Sequence, residues 1–252
     1  MVKRRNDHHP AAGIVFALAV EADPFVSLVS GGVSTQAGGL TIHTGSLAGR
    51  QIVWVIAGAG EERAAHAAGL LIDGHRPHRM VSPGFAGGLV KNLPRGSLTT
   101  PHRVLRRGQE PIDLAPWPDT TPASSTATTL LTADSIAATP LEKRALAQAT
   151  GADLVDMETW GVARRALAAG LACHSLRVIS DAVDDQLPPE VARLVQPQSS
   201  LRRLGAACAA LGRRPGAAVD LWRLWEHAVV DGKSLAVALE QLCGSLPVSP
   251  PA

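Results

Sequence analysis

Cysteine, net charge and long apolar runs are all in short supply in this sequence, and each shortage narrows what it encodes. The three cysteines, Cys173, Cys208 and Cys243, lie far apart, are odd in number and form no CxxC pair. Neither a disulfide framework nor a metal site is therefore expected, and a reducing, cytoplasmic setting is the natural reading. No stretch approaches the roughly 20 apolar residues of a membrane span. The apolar run GIVFALAV at residues 13–20 has no cleavage-site pattern behind it and is not read as a signal peptide. Charged residues make up 18% of the chain, and 24 basic against 22 acidic side chains leave a net charge of +2. The basic residues are scattered, so nucleic acid is not an expected partner. No internal repeat is visible.

What is present is apolar material: 46% of 252 residues, enough to bury a sizeable core. Residues 1–12 are expected to form a disordered tail, residues 13–185 an α/β domain, and residues 186–245 a helical extension packed on it. Residues 13–20 suit a buried strand, with Glu21 directly after it. Residues 40–44 and 52–56 read as strands around the turn LAGR. The stretch AGAGEERAAHAAGLLIDG then opens a helix ending near Gly74. Residues 80–82 form a short strand leading into the glycine-rich PGFAGG, and residues 97–104 have strand character. Residues 108–129, rich in Pro, Ser and Thr, read as loop. Pro140 opens a helix over 140–150 with Thr139 as its cap. Residues 154–155 and 174–179 are strands, separated by a helix over 159–169. This alternation predicts a single α/β domain with a mostly parallel, twisted central sheet flanked by helices. Beyond Pro188 the pattern is helical: 200–211, 217–230 and 233–242, the second with Trp222 and Trp225 on a broad apolar face.

Open α/β sheets bind ligands beyond the carboxyl ends of their strands. Glu21, the AGAG turn (residues 57–60), PGFAGG (83–88), Glu158 of the DME stretch, and Ser180–Asp181 all follow predicted strands, so they converge on one rim. Each has a bland reading. Glu21 and Glu158 could be first-turn glutamates favoured by the helix dipole, Asp181 a cap or turn former, and AGAG a turn that binds nothing. His75 and His78 have no acidic or cysteine partner nearby, so no metal is expected. Together, three carboxylates and two glycine-rich turns on one rim suggest acid/base work or hydroxyl binding at a site the backbone can approach closely.

The order of motifs resembles a known family. Strand–Glu21, GGLTIHTGSLAGR, IAGAGEERAA, GFAGGLVKNLPRGSL, VDMET and RVISD follow one another as in the nucleoside phosphorylase/hydrolase superfamily, in its methylthioadenosine/S-adenosylhomocysteine nucleosidase branch. RVISDAVDDQLPPEV and the later RRPG before a helical tail are similar to the hopanoid-associated phosphorylases, which act on adenosylhopane. The resemblance covers about residues 13–240 with one gap. It implies cleavage of an N-glycosidic bond that releases adenine from a 5′-substituted adenosine. Asp181 would be the general acid protonating the base and Glu21 would activate the attacking water. Glu158 would accept hydrogen bonds from the ribose hydroxyls, with Met157 packed on the sugar and Ser180 orienting Asp181. Ala59, Gly60, Phe85, Ala86, Gly87 and Ile136 would frame the ligand. No cofactor is implied. Phosphorolysis is the alternative, with Gly58 and Arg63 as the phosphate site and phosphate as co-substrate. A non-catalytic nucleoside binder is a third reading. The resemblance further implies a homodimer, and the Trp-bearing tail with a lipid-linked substrate would allow peripheral membrane contact.

The chemistry resembles inverting glycoside hydrolysis, with a proton donor on one side of the sugar and an activated water on the other. Asp181 is then expected to hold a proton near neutral pH, while Glu21 and Glu158 stay ionised, Glu158 with help from a helix N-terminus. The chain departs from the family pattern at Phe85, where a serine is common, at Thr159–Trp160 after Glu158, and in the short segment between Val104 and Leu130.

Overall fold

The computed structural model describes residues 9–117, 127–188 and 217–246, with side chains in the last stretch from Glu226 onward. Eleven strands join one sheet. They are β1 (Ala12–Phe16), β2 (Ser30–Ala37), β3 (Leu40–Leu47), β4 (Arg50–Ile56), β5 (Arg79–Gly88), β6 (Leu98–Thr99), β7 (Arg103–Arg106), β8 (Ile112–Asp113), β9 (Thr129–Thr132), β10 (Leu154–Asp156) and β11 (Ala172–Asp181). The helices are α1 (Ala19–Val26), α2 (Glu61–His75), α3 (Pro140–Thr150), α4 (Thr159–Ala168) and α5 (Ala217–Ser245).

The sheet runs β2-β3-β4-β1-β5-β10-β9-β7-β8, with β11 joining β5 and β6. It is parallel where strands are linked by helices (β4-β1-β5-β11 and β10-β9-β7) and antiparallel in the β2-β3-β4 hairpins and at β7-β8, β6-β11 and β5-β10. The parallel pairings predicted from the βα alternation form much of its interior; short-looped hairpins give some of the antiparallel pairings, while β5-β10 and β6-β11 join strands distant in sequence. The exposed β2, SGGVSTQA, lacks an apolar face and was not among the expected strands; it forms by adding to the edge at β3.

One strand organises the site. β5 is ten residues long and has three neighbours. Its beginning lies between β1 and β11, and its end between β11 and β10. The expected strand stopped at residue 82, and PGFAGG was expected to be a turn. In the fold PGFAGG continues the strand, because β11 pairs with it from Arg79 to Gly87 and supplies partners that outweigh local Pro and Gly preferences. Conversely β1 stops at Phe16, and the residues expected to prolong it enter α1, so Glu21 sits in the first turn of a helix. Ordered structure begins before residue 13, since Ala11 donates to Gln51 and β1 starts at Ala12.

Two helical layers cover the sheet. On one face the alanine-rich α2 and α4 bury Ala64, Ala67, Ala68, Val162 and Ala163 against Val15, Val53 and Val55. On the other, Leu235, Ala236, Leu239 and Cys243 of α5 share a cluster with Ile14, Phe16, Ala22 and Phe25. The expected helices 217–230 and 233–242 are one continuous helix. The Asp231-Gly232 step reads as a break, but Gly232 is kept helical because α5 there presses on α1: a Cβ on Gly232 would stand 2.6 Å from the Val20 carbonyl oxygen. The expected helix 200–211 and the tryptophans of α5 lie outside the described side chains. The α3 reading holds in detail: Thr139 accepts from the Glu142 N–H, Pro140 opens the helix, and Glu142 returns to the Thr139 N–H.

Val20 precedes Glu21, so this contact also seats the helix that carries Glu21. Gly232→Ala should therefore lower stability by about 1–3 kcal/mol through overpacking. Urea unfolding should show a lower midpoint with an unchanged m-value.

Candidate active site

At the carboxyl end of β5 the strand-end residues meet. Glu21 is 3% exposed. Its Oε2 accepts from the Ala17 and Leu18 N–H groups at 3.1 and 2.9 Å, and its Oε1 from the Phe85 N–H at 2.9 Å. It therefore caps its own helix and reaches across to β5 at once. Across β5 stands Asp181. A register shift in β11 between Ile179 and Asp181 brings Asp181, rather than Ser180, opposite Gly87. Such bulges re-aim side chains beside functional sites. The Ser180 hydroxyl donates to Asp181 Oδ1 at 2.6 Å, and Lys143 Nζ forms an ion pair with Oδ2 at 2.6 Å. A Cβ on Gly87 would lie 3.1 Å from Oδ2. The segment Phe85-Ala86-Gly87 thus runs between the two carboxyl groups.

Glu158 completes the rim just before α4. It accepts the Gly60 N–H, at the start of α2, at 2.8 Å, and the Met157 N–H at 3.2 Å. Of the sequence-predicted residues, Glu21, Phe85, Glu158, Gly60, Met157, Ser180, Ala86, Gly87 and Asp181 are joined by these contacts and by the neighbouring pairings. Ala59 adjoins Gly60. Arg63 folds back over Gly58, whose added Cβ would meet Nη1 at 2.7 Å. Ile136 is half-buried on the link between β9 and α3, and no hydrogen bond among the described residues ties it to the others.

Three residues at the site were not anticipated: Lys143, already met at Asp181, and the buried pair Arg177 and Asp156. Arg177 is 1% exposed and lies beneath the site. Its Nη2 pairs with Asp156 Oδ2 at 2.8 Å and donates to the hydroxyls of Ser82, at 2.8 Å, and Thr159. Asp156 also accepts from the Thr132 hydroxyl at 2.7 Å and the Thr159 N–H at 2.9 Å. Gly84 makes room for this group: a Cβ there would collide with Arg177 Nη1 and stand 2.9 Å from Glu21 Oε1. The signal was present in the sequence. An arginine inside the apolar strand LRVIS is buried only if paired, and the neighbouring DME stretch holds its partner.

The electrostatics correct one expectation. Burial raises the Glu21 carboxyl above its ordinary value, against the hydrogen bonds from Phe85, Leu18 and Ala17 and the charge of Arg177. Burial also pushes Glu158 up to about 7, aided by the negative charges of Asp156 and Glu21 and opposed by Arg177 and the Gly60 amide. Neither glutamate is held firmly ionised, because desolvation outweighs the favourable amides. Among the described residues no cluster of three or more His, Cys, Asp and Glu could hold a metal ion, and no helix is long and apolar enough to cross a membrane.

Comparison with known proteins shows the family and the fold. The family model of the Phosphorylase superfamily matches residues 11–127 and 119–212, and the chain belongs to that superfamily. Among curated relatives, the 5′-methylthioadenosine/S-adenosylhomocysteine nucleosidase of Shewanella baltica is 30% identical over 92 residues, 36% of this chain and 39% of the relative. That of Colwellia psychrerythraea is 33% identical over 93 residues, 37% and 38% of the two chains. The matched stretch thus spans about two fifths of these relatives' length. The fold is similar to that of the S. pneumoniae nucleosidase bound to a transition-state inhibitor, with a TM-score of 0.72, 16% identity and coverage of 94% of this chain and 99% of that one. It is also similar to futalosine hydrolase of Helicobacter pylori, with a TM-score of 0.69, 17% identity and coverage of 92% and 96%.

The raised glutamates have a stability consequence. A carboxyl group whose value rises on folding adds stability below its unfolded value, near 4.5 for Glu158, and that contribution is lost as pH climbs through about 7. The melting temperature should therefore fall by several degrees between pH 5.5 and 8.5. In Glu158→Gln, which keeps an oxygen for the Gly60 N–H and has nothing to ionise, the fall should be clearly smaller. Thermal melts of both proteins across this range provide the check.

Proposed function

We propose that this protein hydrolyses the N-glycosidic bond of a 5′-substituted adenosine and releases adenine. The observation that carries the reading is the placement of Glu21 and Asp181 on opposite sides of the Phe85–Gly87 segment, with Glu158 on the same rim. Adenine is a poor leaving group until protonated, and Asp181 delivers the proton. Glu21 takes a proton from the attacking water, and its raised proton affinity suits a base that must accept one. Arg177 lies close enough to temper the charge of both glutamates. Glu158 accepts the ribose hydroxyls, Met157 lines the sugar, and Ser180 fixes Asp181. No cofactor enters the reaction. The curated relatives are nucleosidases of methylthioadenosine and S-adenosylhomocysteine, which supports the same substrate class here. Adenosylhopane is a further candidate, and a homodimer, a lipid-linked substrate and a cytoplasmic location with peripheral membrane contact fit that version of the reading.

Hydrolysis is favoured over phosphorolysis by charge. The Gly60 N–H, at the helix start where a phosphate would dock, is taken by the Glu158 carboxyl, and Glu21 stands near enough to repel an anion. The phosphorolytic alternative rests on Arg63 lying over Gly58.

Adenine release from methylthioadenosine, S-adenosylhomocysteine, 5′-deoxyadenosine and adenosylhopane should proceed equally with and without phosphate. Asp181→Asn and Glu21→Gln should each lower kcat by roughly 10²–10⁴-fold. Release only with phosphate would establish the alternative. Adenine binding without turnover of any substrate would mark a non-catalytic binder. Ionisation of Glu158 should also strengthen its acceptance of ribose hydroxyls, so KM should fall as pH rises through about 7. A KM independent of pH over 6–8 would remove Glu158 from the ribose.

A further inference from the structure

Lys143 occupies an unfavourable place unless something compensates. It lies in the first two turns of α3, at the end where the helix dipole disfavours a cation, and it is 0% exposed. Lysine is almost never fully buried without partners. An ammonium has three N–H donors, and all three have acceptors here: Asp181 Oδ2 at 2.6 Å, the Ala182 carbonyl at 2.6 Å and the Asp185 carbonyl at 2.9 Å. All three acceptors belong to the segment that leaves β11, which carries the residue assigned above as the acid.

The surrounding charges are committed elsewhere. On α3, Glu142 accepts from the Ala138 and Thr139 N–H groups, and Arg144 pairs with Asp184. In the turn, the Asp185 carboxyl accepts from the Ala182 N–H. Arg95 donates to the Ser180 carbonyl and pairs with Asp231 of α5. On β5, Gly87 pairs with Asp181 on one side and with Val155 of β10 on the other, and neither carries a charge. The ammonium and the Asp181 carboxyl are thus each other's charge partners, and Ser180 holds the second carboxyl oxygen.

We propose that the proton given to the leaving adenine is stored on the Lys143–Asp181 pair rather than on an isolated Asp181 carboxyl, with Lys143 a positioning residue that acts through Asp181. The inference rests on the hydrolytic reading above. As the C1′–N9 bond breaks, its electron pair goes to N9. A proton on Lys143 Nζ passes to Asp181 Oδ2 and on from that carboxyl to the base, which leaves Lys143 as the neutral amine and Asp181 as the carboxylate. Glu21 removes a proton from the attacking water as its oxygen bonds to C1′. The amine of Lys143 and the carboxyl of Glu21 return to their starting states by exchange with solvent, so no proton is gained or lost overall.

The direction in which the pH profile moves tests this. The alkaline limb of kcat in the wild type reports loss of the pair's proton. Without the ammonium, the donor must be a protonated Asp181 carboxyl alone. Lys143→Met should lower kcat at pH 7.5 by about 10²-fold with KM changed less than about threefold. Its alkaline limb should move to lower pH by about two units or more, so that acid restores much of the rate. If Lys143 served only as a neighbouring cation, its removal would make Asp181 hold its proton more tightly and the limb would move up. If it served only the fold, the limb would stay. Either result overturns the proposal. Lys143→Gln keeps N–H donors for the carbonyls, and it is measured alongside in case the Met variant does not fold. Asp181→Asn separates the two levels of inference. Wild-type activity in that variant would sink the hydrolytic reading itself, whereas its inactivity with an unmoved or raised limb in the Lys143 variants would sink the proton-storing pair alone.

Discussion

The Arg177 guanidinium, buried beneath the rim, is the group on which the site depends. Three carboxyl groups, those of Asp156, Glu21 and Glu158, lie within reach of its charge. Asp156 neutralises it directly, and Glu21 and Glu158 feel its charge at greater distance. Removing one partner of a buried pair leaves the other charged and desolvated, which typically costs about 3–5 kcal/mol. The surrounding structure holds this group through its Nη2, while its buried Nε has no hydrogen-bond partner among the described residues. Thr159 and Ser82 accept from it, Thr132 and the Thr159 amide hold Asp156 from behind, and Gly84 leaves space where a side chain would collide.

With that cation in place, the balance at each glutamate is set by burial. Each accepts backbone N–H groups, and each nevertheless binds its proton more tightly than an exposed carboxyl does, because desolvation in this pocket outweighs the donors. In the proposed reaction a raised affinity suits Glu21 as the base and ties the acceptance of ribose hydroxyls by Glu158 to pH. Asp181 is treated differently, with an ammonium and a hydroxyl each fixed on one oxygen. One rim therefore holds three carboxyl groups with three different sets of partners.

The helical layers serve the same arrangement. α5 presses its Gly232 against the carbonyl before Glu21 and, through Asp231 and Arg95, also reaches the Ser180 carbonyl. α3 holds the segment after β11 through Lys143 and the Arg144–Asp184 pair, and the Ala138 carbonyl just before the helix accepts the Leu187 N–H. Both carboxyl groups assigned to the chemistry are thus seated by helices remote from them in sequence.

The sequence by itself determined the α/β class, the parallel core implied by alternating strands and helices, the capped α3, and the strand-end positions of Glu21, Glu158 and Asp181. These follow from local periodicity, capping chemistry and the rule that ligands meet the carboxyl ends of strands, none of which needs long-range information. Only the tertiary structure decided that PGFAGG is strand, that β2 exists and that α5 runs unbroken past Gly232. For β5 and α5 the deciding partners are distant in sequence, β11 and α1, and for β2 it is the edge that the neighbouring β3 offers, none of which local preference anticipates. The tertiary structure also decided that Arg177 pairs with Asp156 and Lys143 with Asp181. Arginine in an apolar strand hints at a pair without naming it, and a lysine in LEKRALAQ looks like any solvated helix charge. Whether such a cation is buried, and against which carboxylate, depends on how α3, β5 and β11 pack together.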